Sequence, residues 1–330
     1  MGLRKILVLF ILLIFLAPAV WAKSIKIKLG TFAPEATFWV KDLKKMGASW
    51  KKQSKGKVKL RIYAGGVAGD EPAMVRKLIG GQLTAASLTT LGLNEIVSDI
   101  LVFNSPLMFR NEKEVRYVLK NLSPMLEKKF EEKGFKVLHW SILGSVYLFS
   151  QKKVVTPQDL ESLKLYVDLP QGASVYRGMG FKTEELSPTG LLKALSPPFP
   201  MVHSYITSPI YSLANQWFGL AKNMMDLPIT PAIAATIVRT KTWNKIDPKL
   251  RPQFLEMAKE IGKNAEVKMG SFDLAVKEAM IKNGLKIHTL NPNQRKAWQV
   301  RFAQSYPEIK SNVSSSTFTK VEQLLRQIRQ

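Results

Sequence analysis

Residues 202–230, VHSYITSPIYSLANQWFGLAKNMMDLPIT, decide the fold. Val202, Ser204 and Ile206 alternate with His203, Tyr205 and Thr207, the period of a short strand. Ser208-Pro209 then reads as a helix N-cap with proline at the first helical position. Ile210, Leu213, Ala214 and Trp217 share one face at helical spacing, and Met224 to Leu227 opens another apolar run before Pro228. A helix that starts where a strand ends presents unpaired N–H groups and the positive end of a dipole. In an open α/β sheet, ligands bind at such places. The same pattern also describes an ordinary strand–helix unit without a ligand.

Outward from this stretch the alternation continues. Upstream, strands are expected over 25–29, 58–62, 83–88, 146–150, 163–167 and 182–186, with a further short one over 135–138, where strict alternation breaks at His139. Amphipathic helices are expected over 38–51, 72–80 and 111–133. The turn AGGVAGDE, residues 64–71, precedes the second of these. It lacks the lysine and spacing of a phosphate loop, and Asp70 and Glu71 would repel an anion, so it reads as a tight turn that sets Glu71 at a pocket edge. Downstream, 232–239 reads as an apolar strand. Residues 248–283 read as one helix ended by Asn283-Gly284. A helix of about 35 residues spans ~50 Å, longer than one small domain, so it is expected to lie across two.

Composition narrows the class. The chain has 330 residues, enough for two domains, and 46% of them are hydrophobic, which suits a globular protein. Residues 1–22 read as a secretory signal peptide: Arg4 and Lys5, an apolar run from Ile6 to Leu16, and Val20-Trp21-Ala22 before the cleavage point. No other stretch is long and apolar enough to span a bilayer. Cysteine is absent, which excludes disulfides and a lipid-anchored cysteine. The formal charge of +24 becomes +22 once Arg4 and Lys5 are removed. Its lysines are spread over helix faces, as in Lys41, Lys44, Lys45, Lys51 and Lys52, with no basic tail or nucleic-acid signature. The three histidines show no metal spacing.

The chain resembles the substrate-binding subunits of tripartite ATP-independent periplasmic (TRAP) transporters, the dicarboxylate-type extracytoplasmic receptors. The resemblance is carried by IKLGTFAPE (27–35), RIYAGGVAGDEPAMVRKLIGGQL (61–83), TPQDLESLKLYV (156–167), TSPIYSLANQWF (207–218) and the long helix, in that order. It implies an α/β, two-lobe periplasmic-binding-protein fold with crossover strands and a helix spanning both lobes. Lobe I is expected to hold 23–146 and about 233–270, and lobe II about 147–232 and 271–330. It further implies a periplasmic receptor without enzymatic activity or cofactor. Such a receptor captures a small organic ligand between the lobes and delivers it to TRAP membrane subunits.

The departures bear on the ligand. The strand LKLYV carries Tyr166 where the family usually has a carboxylate-clamping arginine, and a second family arginine corresponds to Val146. Matching positions leave Phe32, Glu71, Thr89, Tyr147, Tyr166, Thr207, Ser208, Tyr211 and Trp217 as the candidate ligand-binding set. This aromatic, hydroxyl-bearing set suits a neutral, aromatic or apolar ligand. Two other classes stay open: a secreted enzyme using the same cleft, and a basic nucleic-acid or surface-binding protein. Against the first stand the missing GxSxG and HExxH motifs and the opposite facings expected of Glu184 and Glu185 on their strand.

Overall fold

The computed structural model describes residues 24–167 and 170–330. The expected signal peptide lies outside the described residues. Ten strands form the frame: β1 Ile25–Thr31, β2 Val58–Tyr63, β3 Ala85–Thr89, β4 Phe135–Ser150, β5 Lys164–Val167, β6 Lys182–Glu185, β7 Ser204–Thr207, β8 Asn223–Met225, β9 Thr230–Arg239 and β10 Lys286–His288. Their order is β2-β1-β3-β9-β4-β7-β5-β6, with β8 pairing β4 and β10. Parallel pairs β2-β1-β3 and β7-β5-β6 mark two α/β lobes, and antiparallel β9 and β4 join them.

Strand β4 is the main crossover. The short segment expected over 135–138 and the strand expected over 146–150 are one continuous element of 16 residues. Its first part pairs β9 from Phe135 to Val146, and its last part, from Tyr147, pairs β7. Register shifts fall between Val137 and His139 and between Ile142 and Ser145. The first explains the broken alternation: a bulge sets two residues against one. Gly144 sits in the second, at φ +83°, where a side chain would strain the backbone.

The helix Arg251–Lys282 runs along both lobes, 32 residues and about 48 Å. Its Phe254, Ala258 and Ile261 pack with Leu29, Met46, Trp50 and Val238 of lobe I. Its Met269, Val276 and Met280 pack with Phe149, Tyr205 and Trp217 of lobe II. The chain does not end in lobe II, as a division at residue 271 would have it. Helix Ser315–Arg329 returns to lie on helix Glu112–Glu132 of lobe I, where Arg329 donates to the Glu114 carboxylate at 2.7 Å. Amphipathic spacing shows that such a helix has an apolar face, not which partner covers it.

Candidate ligand cleft

Both lobes bring strand ends to the gap between them. In lobe I, β1 delivers Thr31 and Phe32. The glycine-rich turn folds back on this end: Gly65 N–H donates to the Ala33 carbonyl at 2.9 Å and Gly66 N–H to that of Thr31 at 3.2 Å. Gly66 has φ +74°, and a Cβ there would come within 3.1 Å of the Phe32 ring. Glycine is therefore required both by the backbone and by the ring against it. Asp70 caps helix Glu71–Ile79, its Oδ1 accepting from Ala73 N–H at 2.9 Å. The buried Glu71 carboxylate accepts from Thr89 N–H (2.9 Å), the Thr89 hydroxyl (2.8 Å) and Gly92 N–H (2.8 Å). Glu71 thus ties its own helix to the segment after β3, and its oxygens are spent on positioning.

In lobe II, β7 ends at Thr207, and Ser208 opens helix Pro209–Ala214, its Oγ accepting from Tyr211 N–H at 3.3 Å. Tyr211 then reaches across the gap to Phe32, with ring centroids 5.6 Å apart. On the rim, the Ser187 hydroxyl donates to Asp70 Oδ2 at 3.4 Å, a second contact between the lobes. Ser187 makes no cap bond of its own, although Ser187-Pro188 has the composition of a capped helix start.

Behind these contacts lies a cavity of about 320 Å³. Phe32, Glu71, Thr89, Tyr166, Thr207, Ser208 and Tyr211 all line it. Among the described residues its lining contains no lysine or arginine. Two of the nine candidates stand elsewhere. Trp217 is not on the helix with Ile210 and Leu213, because that helix ends at Ala214 and Gln216 turns left-handed at φ +60°. Its buried indole instead backs the wall, edge-on to Tyr211 at 5.2 Å and to Tyr205 at 5.6 Å. Tyr147 is claimed by the long helix: Lys277 Nζ donates to its hydroxyl at 3.2 Å and sits 4.3 Å from its ring centroid. Burial raises the Tyr147 pKa, against the opposing pull of the Lys277 charge.

Sequence reasoning missed the inner end of the cavity, lined by Trp39, Asp42, His139, Ser141, Ile261 and Ala265. The broken alternation at His139 was its one signal. His139 is buried, and loss of hydration holds its imidazole neutral, with the pKa pushed down to about 4. Asp42 is buried and paired with Lys268 at 2.7 Å. Glu184 and Glu185, the carboxylates weighed for acid–base work, bind separate partners, Lys164 and Arg177. Among the described residues, no cluster of His, Asp and Glu could hold a metal ion and no helix is long and apolar enough to cross a membrane.

Comparison with known proteins gives the same frame. The model of bacterial extracellular solute-binding protein family 7 matches residues 29–312. A solute-binding protein of Chromohalobacter salexigens is 24% identical over 281 residues, 79% of this chain and 80% of that one. Among solved structures, a TRAP periplasmic solute-binding protein of Ralstonia eutropha with bound (S)-2-acetolactate superposes with a TM-score of 0.83 at 18% identity, covering 92% of this chain and 99% of that one. A TRAP solute-binding protein of Sulfurospirillum deleyianum with bound succinate gives 0.81 at 20% identity, covering 91% and 98%.

Proposed function

The chain belongs to family 7 of the bacterial extracellular solute-binding proteins, and from that premise we propose that it is the solute-capturing receptor of a TRAP-type transporter whose ligand carries no carboxylate clamp. It works outside the cytoplasm, exported by residues 1–22 into a periplasm. It closes its lobes on a small organic molecule and hands it to the membrane subunits, without chemistry of its own. Hinge closure around a ligand suits two lobes joined by strands.

One observation carries the ligand class: no lysine or arginine among the described residues lines the cavity. Tyr166 stands where the family resemblance places a clamping arginine. An ionised carboxylate moved from water into this cleft would lose hydration with no cation beside it to offset the loss. Apolar walls with scattered hydroxyls, as at Thr89, Thr207 and Ser208, instead suit an uncharged molecule. Phe32, Glu71, Thr89, Tyr166, Thr207, Ser208 and Tyr211 form its surround; Tyr147 and Trp217 support that surround from behind.

Titration calorimetry with succinate and glucuronate tests the ligand class, with mass spectrometry of whatever the purified protein releases on denaturation. The expected result is no submillimolar binding of either acid and release of an uncharged compound. Submillimolar binding of succinate would overturn the reading of the ligand and leave the receptor role standing.

A further inference from the structure

The cavity does not stop at the aromatic contact between Phe32 and Tyr211. It continues into a compartment on the face of the lobe I sheet covered by helices Phe38–Gln53 and Arg251–Lys282. Trp39 and Asp42 come from the first helix, His139 and Ser141 from β4, Ile261 and Ala265 from the second. No position in this compartment belongs to the set matched from the family.

Two buried polar atoms here have no hydrogen-bond partner among the described residues: Trp39 Nε1 and His139 Nε2. Such atoms are rare, because an unpaired buried donor or acceptor loses its water and gains nothing. The orientation of the imidazole is fixed by its other edge. Nδ1 lies 3.3 Å from Ser141 Oγ, and it faces the long helix so closely that a Cβ on Gly262 would come within 2.9 Å of it. Nε2 is on the opposite edge. The ring also bonds the Trp140 backbone, and with Nε2 unpartnered that bond falls to Nδ1. A carbonyl can only accept, so Nδ1 carries the proton and Nε2 presents a lone pair.

These atoms select among ligand groups. A hydroxyl donates to that lone pair, and a hydroxyl or ether oxygen alike accepts from an indole N–H. An ether oxygen accepts but cannot donate. A carboxylate would be desolvated without a cation, since Asp42 already engages Lys268 and no lysine or arginine among the described residues lines the space. We propose that this compartment is a subsite for the hydroxyl-bearing end of an uncharged ligand, with His139 Nε2 and Trp39 Nε1 as its hydrogen-bonding atoms. The proposal rests on the receptor reading above and adds the chemistry of one end of the ligand.

Three probes of matched size test it by calorimetry on the mature protein: hexan-1-ol, its isomer methyl pentyl ether, and hexanoate. Hexan-1-ol should bind about tenfold more tightly than the ether, the worth of one buried hydrogen bond. Hexanoate should bind more weakly than both. His139→Phe should remove the preference for the alcohol and leave ether binding in place, whereas Trp39→Phe should weaken alcohol and ether alike and keep the preference. In case either variant fails to fold, the ¹⁵N resonance of His139 Nε2 in the unaltered protein gives a separate readout: it should move with hexan-1-ol and stay with the ether. Equal affinity for alcohol and ether would mean that the compartment holds only water, and the subsite falls. An unmoved Nε2 resonance with bound alcohol would also overturn it. If none of the three binds, the subsite falls, while release of any small organic molecule on denaturation would keep the receptor reading.

Discussion

Acid should unfold this protein earlier than its carboxylates alone require, because His139 must take a proton in the unfolded chain and resists it in the fold. Its folded pKa is about 4 against an ordinary 6.5. Between those values the unfolded state binds more protons, so stability falls as pH falls through that window and is fully present above it. That difference corresponds to roughly 3 kcal/mol, most of which is already lost at pH 4.5. Among the charged groups on the packed elements, Asp42 pairs with Lys268 and Glu266 with Arg116. Burial raises the Glu266 pKa, which works in the opposite sense and stabilises the fold as pH drops. Burial lowers the pKa of His203 and His288, which act in the same sense as His139. Asp99, Glu114 and Asp159 are held below their ordinary values by hydrogen bonds that outweigh burial, so their contributions are lost only at lower pH. All of these are common to the unaltered protein and His139→Gln. Urea unfolding of both between pH 7 and 4.5 therefore isolates one imidazole. The stability of the unaltered protein should fall by roughly 2–3 kcal/mol more than that of the variant. Parallel curves would refute the burial argument.

Two glycines of the long helix should behave oppositely. A Cβ on Gly262 would lie 2.8 Å from the Trp140 carbonyl, so Gly262→Ala should cost roughly 1–3 kcal/mol; Gly270 has nothing within 4 Å, so Gly270→Ala should gain about 0.5–1 kcal/mol, both read from thermal melts. Ser208→Ala removes the acceptor for Tyr211 N–H and should cost about 0.5–2 kcal/mol. If hexan-1-ol binds that variant unchanged, Ser208 caps a helix and touches no ligand at that subsite.

Local rules made much of this architecture legible. Alternation located β1, β2 and β7, an apolar run located β9, Ser208 acts as the cap its place before Pro209 suggests, and an apolar stripe with Asn283-Gly284 at its end marked the long helix. What stayed illegible depends on contacts distant in sequence. Nothing near Tyr147 shows that Lys277, 130 residues away, takes its hydroxyl. Nothing in the spacing of Trp217 shows that Gln216 turns left-handed and starts a separate turn, because φ is positive there without a glycine to signal it. Trp39 reads as one more apolar position on a helix until the long helix is placed beside it, with Phe272 edge-on at 6.1 Å.

Strand β4 shows why the irregular positions and the candidate site coincide. Val137 pairs Ile237 and His139 pairs Thr236, so Leu138 is the extra residue of the first bulge. Leu138 packs with Phe254 and Val238 on the side of the long helix, and His139 pairs a residue that faces the same side. A regular strand would send one of them to the opposite face. The bulge lets Leu138 fill the core while His139 lines the compartment, a re-aiming that such irregularities commonly provide beside binding sites. The second shift, at Gly144, serves the other requirement. Beyond it only Ser145 and Val146 still pair β9 before Tyr147 joins β7, so the chain crosses between lobes just after its ladder is interrupted. A bend there disturbs fewer hydrogen bonds than one within either ladder. A bend between Ile142 and Ser145 leaves His139, three residues before Ile142 and packed against Gly262, with lobe I.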